Sequence, residues 1–200
     1  MLNIRDPRIS DIIRNALETN SFIPLEKTTP CIYRKSPPMT VFIGRDPQGR
    51  IKTIIVKDEI FDWVFGLEIV NPGKELCEMW DFGRFKPVGF KGKLIYKNRI
   101  GPGIIAGSHY HKKKKELFFV LSKGGKLTFS FTRVKDQKKI EVELDASTIE
   151  IDGMRYSLAL YLNPGIAHDV ANHGKRNRIL LAVVADRSHN SSDDYRLEDN

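Results

Sequence analysis

The sequence predicts an all-β barrel preceded by a short N-terminal helical arm. Two observations lead there. From Met39 onward, short runs rich in Val, Ile, Phe and Leu are broken at regular intervals by Gly, Pro, Asn and Asp, the pattern of many strands joined by tight turns. Only one stretch, near the N-terminus, repeats its apolar residues at helical spacing. A boundary near residue 38 would separate an arm (1–38) from the barrel (39–200).

Residues 8–19, RISDIIRNALET, form the helix, with Ile9, Ile12, Ile13 and Leu17 on one face. Asp6-Pro7 starts it and Asn20-Ser21 ends it. Its expected role is to cap a barrel end or to pack on a partner subunit. Residues 22–38, with Pro24, Pro30, Pro37 and Pro38, read as irregular. MTVFIG leads into a turn at residues 45–49, RDPQG. IKTIIVKD reads as a half-buried strand, DWVFGLEIVN as another, and Pro72-Gly73 as a turn. The next two segments carry Trp80, Phe82, Phe85, Phe90 and Tyr96, most of them expected in the core.

Further on, KLTFSFTRV alternates Leu127, Phe129 and Phe131 with Thr128, Ser130 and Thr132. A hairpin turn at residues 136–139 returns the chain through IEVELD. TIEIDG and SLALYLN are two more strands, and Asn163-Pro164-Gly165 turns into His168. RILLAVVAD, continuously apolar, reads as a buried strand, and the polar tail SHNSSDDYRLEDN as frayed at its end.

The composition, 40% hydrophobic and 29% charged, is that of a soluble domain, and no apolar run approaches the ~20 residues of a membrane span. A start without an apolar h-region, and two cysteines (Cys31 and Cys77) in no metal pattern, fit a cytoplasmic setting. The formal charge of +8 favours anionic partners such as nucleotides and sugar phosphates. Its only dense run is Lys112–Lys115, read either as a solvated turn or as an attractor at a pocket mouth. No nucleic-acid-binding motif accompanies it, so neither nucleic acid nor a membrane is an expected partner.

The chemistry concentrates in residues 103–124, GIIAGSHYHKKKKELFFVLSKG. His109 and His111 lie one residue apart, so in a strand both imidazoles face one space. If the lysines turn the chain, Glu116 at the head of the next strand faces them. Two imidazoles and a carboxylate suit a divalent metal. They suit acid–base work without a metal equally well.

Gly103, His109, His111, Glu116 and Gly124, in this order, resemble the first motif of the cupins, although seven residues separate Glu116 from Gly124 where the family usually has six. Pro164, Gly165, His168 and Asn172 resemble the second motif, Pro-x-Gly-x-x-His-x-x-x-Asn, without the residue between Pro and Gly. Leu158 stands where a further glycine is usual. The resemblance implies a cupin jelly roll, an RmlC-like barrel with a short N-terminal helical arm. It also implies a metal set of His109, His111, Glu116 and His168 holding zinc, nickel, manganese or iron. His173 and His189 lie outside the motifs and read as surface histidines.

A narrower resemblance is to the nucleotide-sugar 3,4-ketoisomerases, carried by His109-Tyr110-His111-Lys112-Lys113 and by a C-terminal strand followed by Asp194-Tyr195. That family commonly has glutamine where this chain has Glu116. It implies a metal-free proton transfer between adjacent sugar carbons, with His109 and His111 as the catalytic pair. The cupin of capsule-sugar reductases is similar over the same stretch and implies zinc. Three readings stand at this point. One is an isomerase or epimerase of a nucleotide-linked keto-sugar. The second is a metal-dependent cupin, either a sugar-phosphate isomerase or a dioxygenase. The third is a non-catalytic sugar-binding or metabolite-binding cupin. The ligand is expected to be a small anionic sugar and the assembly a homodimer, since an open barrel edge needs cover.

Overall fold

The computed structural model describes residues 2–3, 7–70, 76–78, 88–122 and 124–197. In chain order the elements are β1 (Leu2–Asn3), α1 (Pro7–Glu18), β2 (Ile23–Pro24), α2 (Pro30–Lys35), β3 (Val41–Arg45), β4 (Ile51–Lys57), β5 (Asp62–Val70) and β6 (Leu76–Glu78). They continue with β7 (Leu94–Ile100), β8 (Ile105–Tyr110), β9 (Glu116–Val120), β10 (Lys126–Arg133) and β11 (Lys138–Asp145). The last are β12 (Thr148–Ile151), β13 (Met154–Leu162), β14 (Ile166–Ala171), β15 (Ile179–Ala185) and β16 (Tyr195–Arg196). The chain is mostly β, as the sequence predicts. No helix among the described residues is long and apolar enough to cross a membrane.

The chain divides into two compact units. One comprises residues 7–91 and 147–160. In it β2, β3, β4 and β5 lie side by side, and β12 pairs with β13. The helix α1 lies against β3 and β12. Its buried stripe is Ile9, Ile13 and Ala16, while Ile12 and Leu17 are only partly covered. Residues 53–56 of β4 are all buried, so this strand is covered on both faces and is not half-buried. A second helix, α2, falls in the stretch expected to be irregular. Pro30 occupies its first turn, where a missing N–H costs nothing, and the Thr29 hydroxyl accepts from the Ile32 amide at 3.4 Å.

The other unit comprises residues 1–6, 92–146 and 161–200. One sheet has the order β1-β11-β10-β14-β8-β16. Facing it, β15 pairs antiparallel with β9 on one side and β7 on the other. Phe118 of β9 packs edge-on against Phe129 of β10, with ring centroids 5.7 Å apart, so the core lies between the two layers. Leu127, Phe129 and Phe131 are fully buried, as their alternation implies, and β15 is buried nearly throughout. This is the cupin jelly roll. Phe90 is buried and Tyr96 partly so; Trp80, Phe82 and Phe85 fall outside the described residues.

Candidate active site

The site is built on β8 and β14, which run antiparallel. Gly107 pairs with Asp169 and His109 with His168, so Ser108 is an extra residue bulged out of the ladder. Its hydroxyl donates to Asp169 Oδ1 at 2.6 Å. Gly107 has φ +109°, and a Cβ there would lie 2.6 Å from the His168 carbonyl oxygen, so only glycine allows this approach. The bulge sets His109 directly opposite His168. The turn at Pro164 completes the frame despite its missing residue. Gly165, at φ +84°, donates its N–H to the His111 carbonyl at 2.7 Å. Asn172, the last residue of the second motif, is buried and structural: its amide donates to the Ile100 and Asn177 carbonyls.

The structure brings His109, His111, His168 and Glu116 together. Ring centroids lie 4.8 Å apart for His109–His111 and 4.6 Å for His109–His168. His111, His168 and Glu116 are buried, and His109 is partly exposed. His111 Nδ1 donates to the Asp193 carbonyl at 2.5 Å, since a carbonyl can only accept. In the neutral ring this leaves Nε2 as a bare lone pair, buried and without a hydrogen bond, 3.6 Å from Glu116 Oε2. His168 Nε2 lies 3.5 Å from the same oxygen. Burial pushes His168 down to about 4, against the pull of Glu116. Burial lowers His111 as well, against the Asp193 carbonyl and Glu116. Both rings are therefore neutral at physiological pH.

The Glu116 carboxyl is itself buried, which alone would raise it. The charge that His168 and His111 carry when protonated, the Lys114 ammonium and the Tyr96 hydroxyl outweigh that and hold it below the usual carboxylate range. Tyr96 donates to Oε1 at 2.8 Å, and Lys114 Nζ lies 3.1 Å from the same oxygen. Burial and the Glu116 charge in turn push the Tyr96 phenol up.

Neither Tyr96 nor Lys114 was singled out by the sequence. Tyr96 read as a core aromatic, and Lys114 as one of four similar lysines in a turn. Lys112 and Lys113 are exposed, but Lys114 is buried. The tail supplies the reason for the turn. The Asp193 carboxylate accepts from the amides of Lys112, Lys113 and Lys114 at 3.0, 3.3 and 3.1 Å. Tyr195 stacks on Tyr110, and Lys112 Nζ sits 4.0 Å above the Tyr195 ring. The tail is thus tied to the site up to β16; its end, residues 198–200, expected to fray, lies outside the described residues. His109 Nε2 lies 3.7 Å from Asp194 Oδ1. Beside His111 opens a cavity of about 520 Å³, lined among others by Lys93, Lys113, Lys114, Arg187 and His189.

The donor set decides what this site suits. The ligand nitrogens of His109, His111 and His168 lie within 4.8 Å of one another, a trio that fits a divalent metal. Glu116 is not part of that group. One of its oxygens, Oε1, is taken by an ammonium and a phenol, and the other, Oε2, faces the His111 and His168 rings.

None of the curated proteins matches the sequence. Among solved structures, the chain is similar to QdtA, a sugar 3,4-ketoisomerase from Thermoanaerobacterium thermosaccharolyticum in complex with TDP. The two share 19% identity over 68% of this chain and 88% of that one, at a TM-score of 0.53. It is similar also to WlaRB, a TDP-quinovose 3,4-ketoisomerase from Campylobacter jejuni, at 18% identity over 65% and 87% of the chains and a TM-score of 0.51. CapF, a capsular polysaccharide assembling protein from Staphylococcus aureus, matches at 19% identity over 76% and 36%, with a TM-score of 0.43. The model of the polysaccharide biosynthesis C-terminal domain matches residues 89–195. With more than half of its length so matched, the chain belongs to the polysaccharide biosynthesis C-terminal domain family, on a cupin fold.

Proposed function

We propose that this chain is an isomerase of a nucleotide-linked keto-sugar, moving the carbonyl between adjacent carbons by histidine-borne proton transfer. The observation that carries the reading is His111. Its tautomer is fixed by the Asp193 carbonyl, which leaves Nε2 neutral, buried and free to accept a proton. In the first half of the reaction His111 Nε2 takes the proton α to the ketone while His109 protonates the ketone oxygen, giving an enediol. In the second half His109 removes the proton of the neighbouring hydroxyl, and a proton returns to the carbon that formerly carried the oxo group. Glu116, 3.6 Å from Nε2, stabilises His111 while it carries the extra proton. His109, more open and beside Asp194, has the access to exchange its proton with solvent.

The cavity beside His111 supports an anionic ligand. Lys93, Lys113 and Arg187 line it within one groove, which suits the diphosphate of a nucleotide sugar. Two of the similar structures are described with TDP or with TDP-4-keto-6-deoxyglucose bound, which makes the latter the substrate to try first. A metal-dependent reaction is the second reading, favoured by the trio of imidazoles.

The test is turnover of TDP-4-keto-6-deoxyglucose, followed by NMR in D₂O, with and without a chelator. Turnover with deuterium entering the ring, surviving chelation and lost in His111→Ala, is the expected result. Turnover abolished by chelation and restored by metal would favour the second reading. No turnover on any keto-sugar would leave a binding protein.

A further inference from the structure

We infer that the end of the barrel away from the histidines holds a second ligand site, one that takes a phosphorylated saccharide. A cavity of about 440 Å³ opens there, within the range of small-molecule sites. Its walls include Gly124, Lys126, Thr128, Glu143, Lys175 and Arg176. The strands set it apart from the cavity beside His111. β7 starts at Leu94, next to Lys93 of that first cavity, and ends at Ile100, which pairs with Ile179 in the wall of the second. A strand of this length spans about 20 Å. A ligand held at the far end therefore touches neither His111 nor His168.

The charge of the wall asks for an anion. Lys126 Nζ lies 2.7 Å from the Glu143 carboxylate, so these two neutralise each other. Lys175 and Arg176 are exposed and, among the described residues, make no ion pair. They leave two uncompensated positive charges side by side, which matches the dianion of a phosphate monoester. The loop that carries them is held in place before any ligand arrives. Buried Asn172 donates to the Ile100 carbonyl at 2.9 Å and the Asn177 carbonyl at 2.8 Å, and accepts from the Gly174 amide at 2.9 Å. One side chain thus pins both ends of the loop, which lowers the cost of ordering it on binding.

The other polar groups ask for hydroxyls beside that anion. Thr128 is 5% exposed, yet its hydroxyl has no hydrogen-bond partner among the described residues. A buried hydroxyl left unpaired is costly, and a hydroxyl of a ligand in the cavity would satisfy it. Glu143 stands directly across from Thr128 in the β10–β11 ladder, so the two side chains share one face. Its carboxylate can only accept, whereas the Thr128 hydroxyl can donate and accept. Such a pair suits the vicinal hydroxyls of a sugar and gives nothing to a bare anion. A phosphate on Lys175 and Arg176 with its sugar on Thr128 and Glu143 uses each of these groups.

The experiment is a titration of the full-length, isotope-labelled chain in low salt, read by amide NMR shifts, with glucose 1-phosphate, glucose and inorganic phosphate as separate probes. Glucose 1-phosphate is expected to give saturable shifts at residues 124–128 and 172–177. Inorganic phosphate should bind the same residues about tenfold more weakly, and glucose alone should not saturate. Lys175→Ala/Arg176→Ala, a change of two exposed side chains, should weaken glucose 1-phosphate by at least about tenfold. Thr128→Val keeps the shape of the side chain and should weaken glucose 1-phosphate by about threefold or more, while leaving inorganic phosphate unchanged. The inference is overturned by shifts confined to residues 111–114, by the absence of saturation up to about 10 mM, or by a double variant that binds as well as the unaltered chain. Equal affinity for inorganic phosphate and glucose 1-phosphate would overturn it too, because the sugar would then contribute nothing. No arm measures turnover, so a failure here is distinct from a failure of the isomerase reading.

Discussion

Asp62 and Glu116 are both buried carboxyls, and their surroundings drive them in opposite directions. Glu116 has an ammonium and a phenol at one oxygen and is held ionised. Among the described residues Asp62 accepts from neutral donors, the Tyr33 hydroxyl and the Asp58 amide. Burial dominates there and pushes it up to about 8, with the Asp58 amide pulling back. The sign of the resulting pH dependence follows. The folded chain holds a proton that the unfolded chain releases near the ordinary 3.8, so the contribution of Asp62 is complete below about pH 4. It falls as pH rises to about 8 and is flat above, at no more than about 1.4 kcal/mol per pH unit. Asp62→Asn keeps an oxygen for the Asp58 amide and carries no charge. It should flatten the profile and raise stability at pH 8 relative to the unaltered chain, as measured by urea unfolding at pH 5 and pH 8. An unchanged slope would mean that Asp62 is not the group responsible.

At the level of elements, the bulge in β8 and the tail each place one of the clustered histidines. Nothing in Gly107-Ser108 announces a bulge, because its cause is the carbonyl of His168, some sixty residues away in the chain. Gly107→Ala would drive a Cβ onto that carbonyl at a backbone angle disfavoured for alanine. We expect a loss of at least about 2 kcal/mol in chemical denaturation and a displaced His109–His168 pair. Ser108→Ala, which removes only one exposed hydrogen bond, should cost less than about 1 kcal/mol.

The tail was harder to read. Its polar composition gives no sign of the long-range hydrogen bonds by which Asp193 ties it to His111 and the lysine turn. Asp193→Ala should speed hydrogen exchange at the amides of Lys112, Lys113 and Lys114, while Asp194→Ala should leave those amides protected. An equal effect of the two would show that the tail merely covers the turn. Similar physics explains the missed α2. Its prolines argued against a helix, but Pro30 is in the one helical position that tolerates it.

For the molecule as a whole, the strands were legible because their alternation records which face is buried, and the histidine motif because its spacing records a shared strand face. Leu127, Phe129 and Phe131 illustrate the first, and His109 with His111 the second. The partners of those histidines were not legible. Tyr96 of β7 and Lys114 of the turn after β8 reach Glu116, Asp193 of the tail reaches His111, and nothing local marks which tyrosine or lysine will do so. The same limit applies to assembly, where the sequence suggested only that an open edge needs cover. The structure offers a specific edge. β7 pairs with β15 on one side and, among the described residues, with no strand on the other. It also carries Ile95, 62% exposed, on a surface where a single chain gains nothing from it. We propose that β7 pairs with a second copy of the chain. Light scattering coupled to size exclusion at micromolar concentration should then return twice the mass of one chain. Ile95→Lys, an exposed change that leaves the β7–β15 ladder intact, should return the mass of a single chain with little change in its thermal midpoint. A monomer for the unaltered chain, or a dimer indifferent to Ile95→Lys, would remove β7 as the interface.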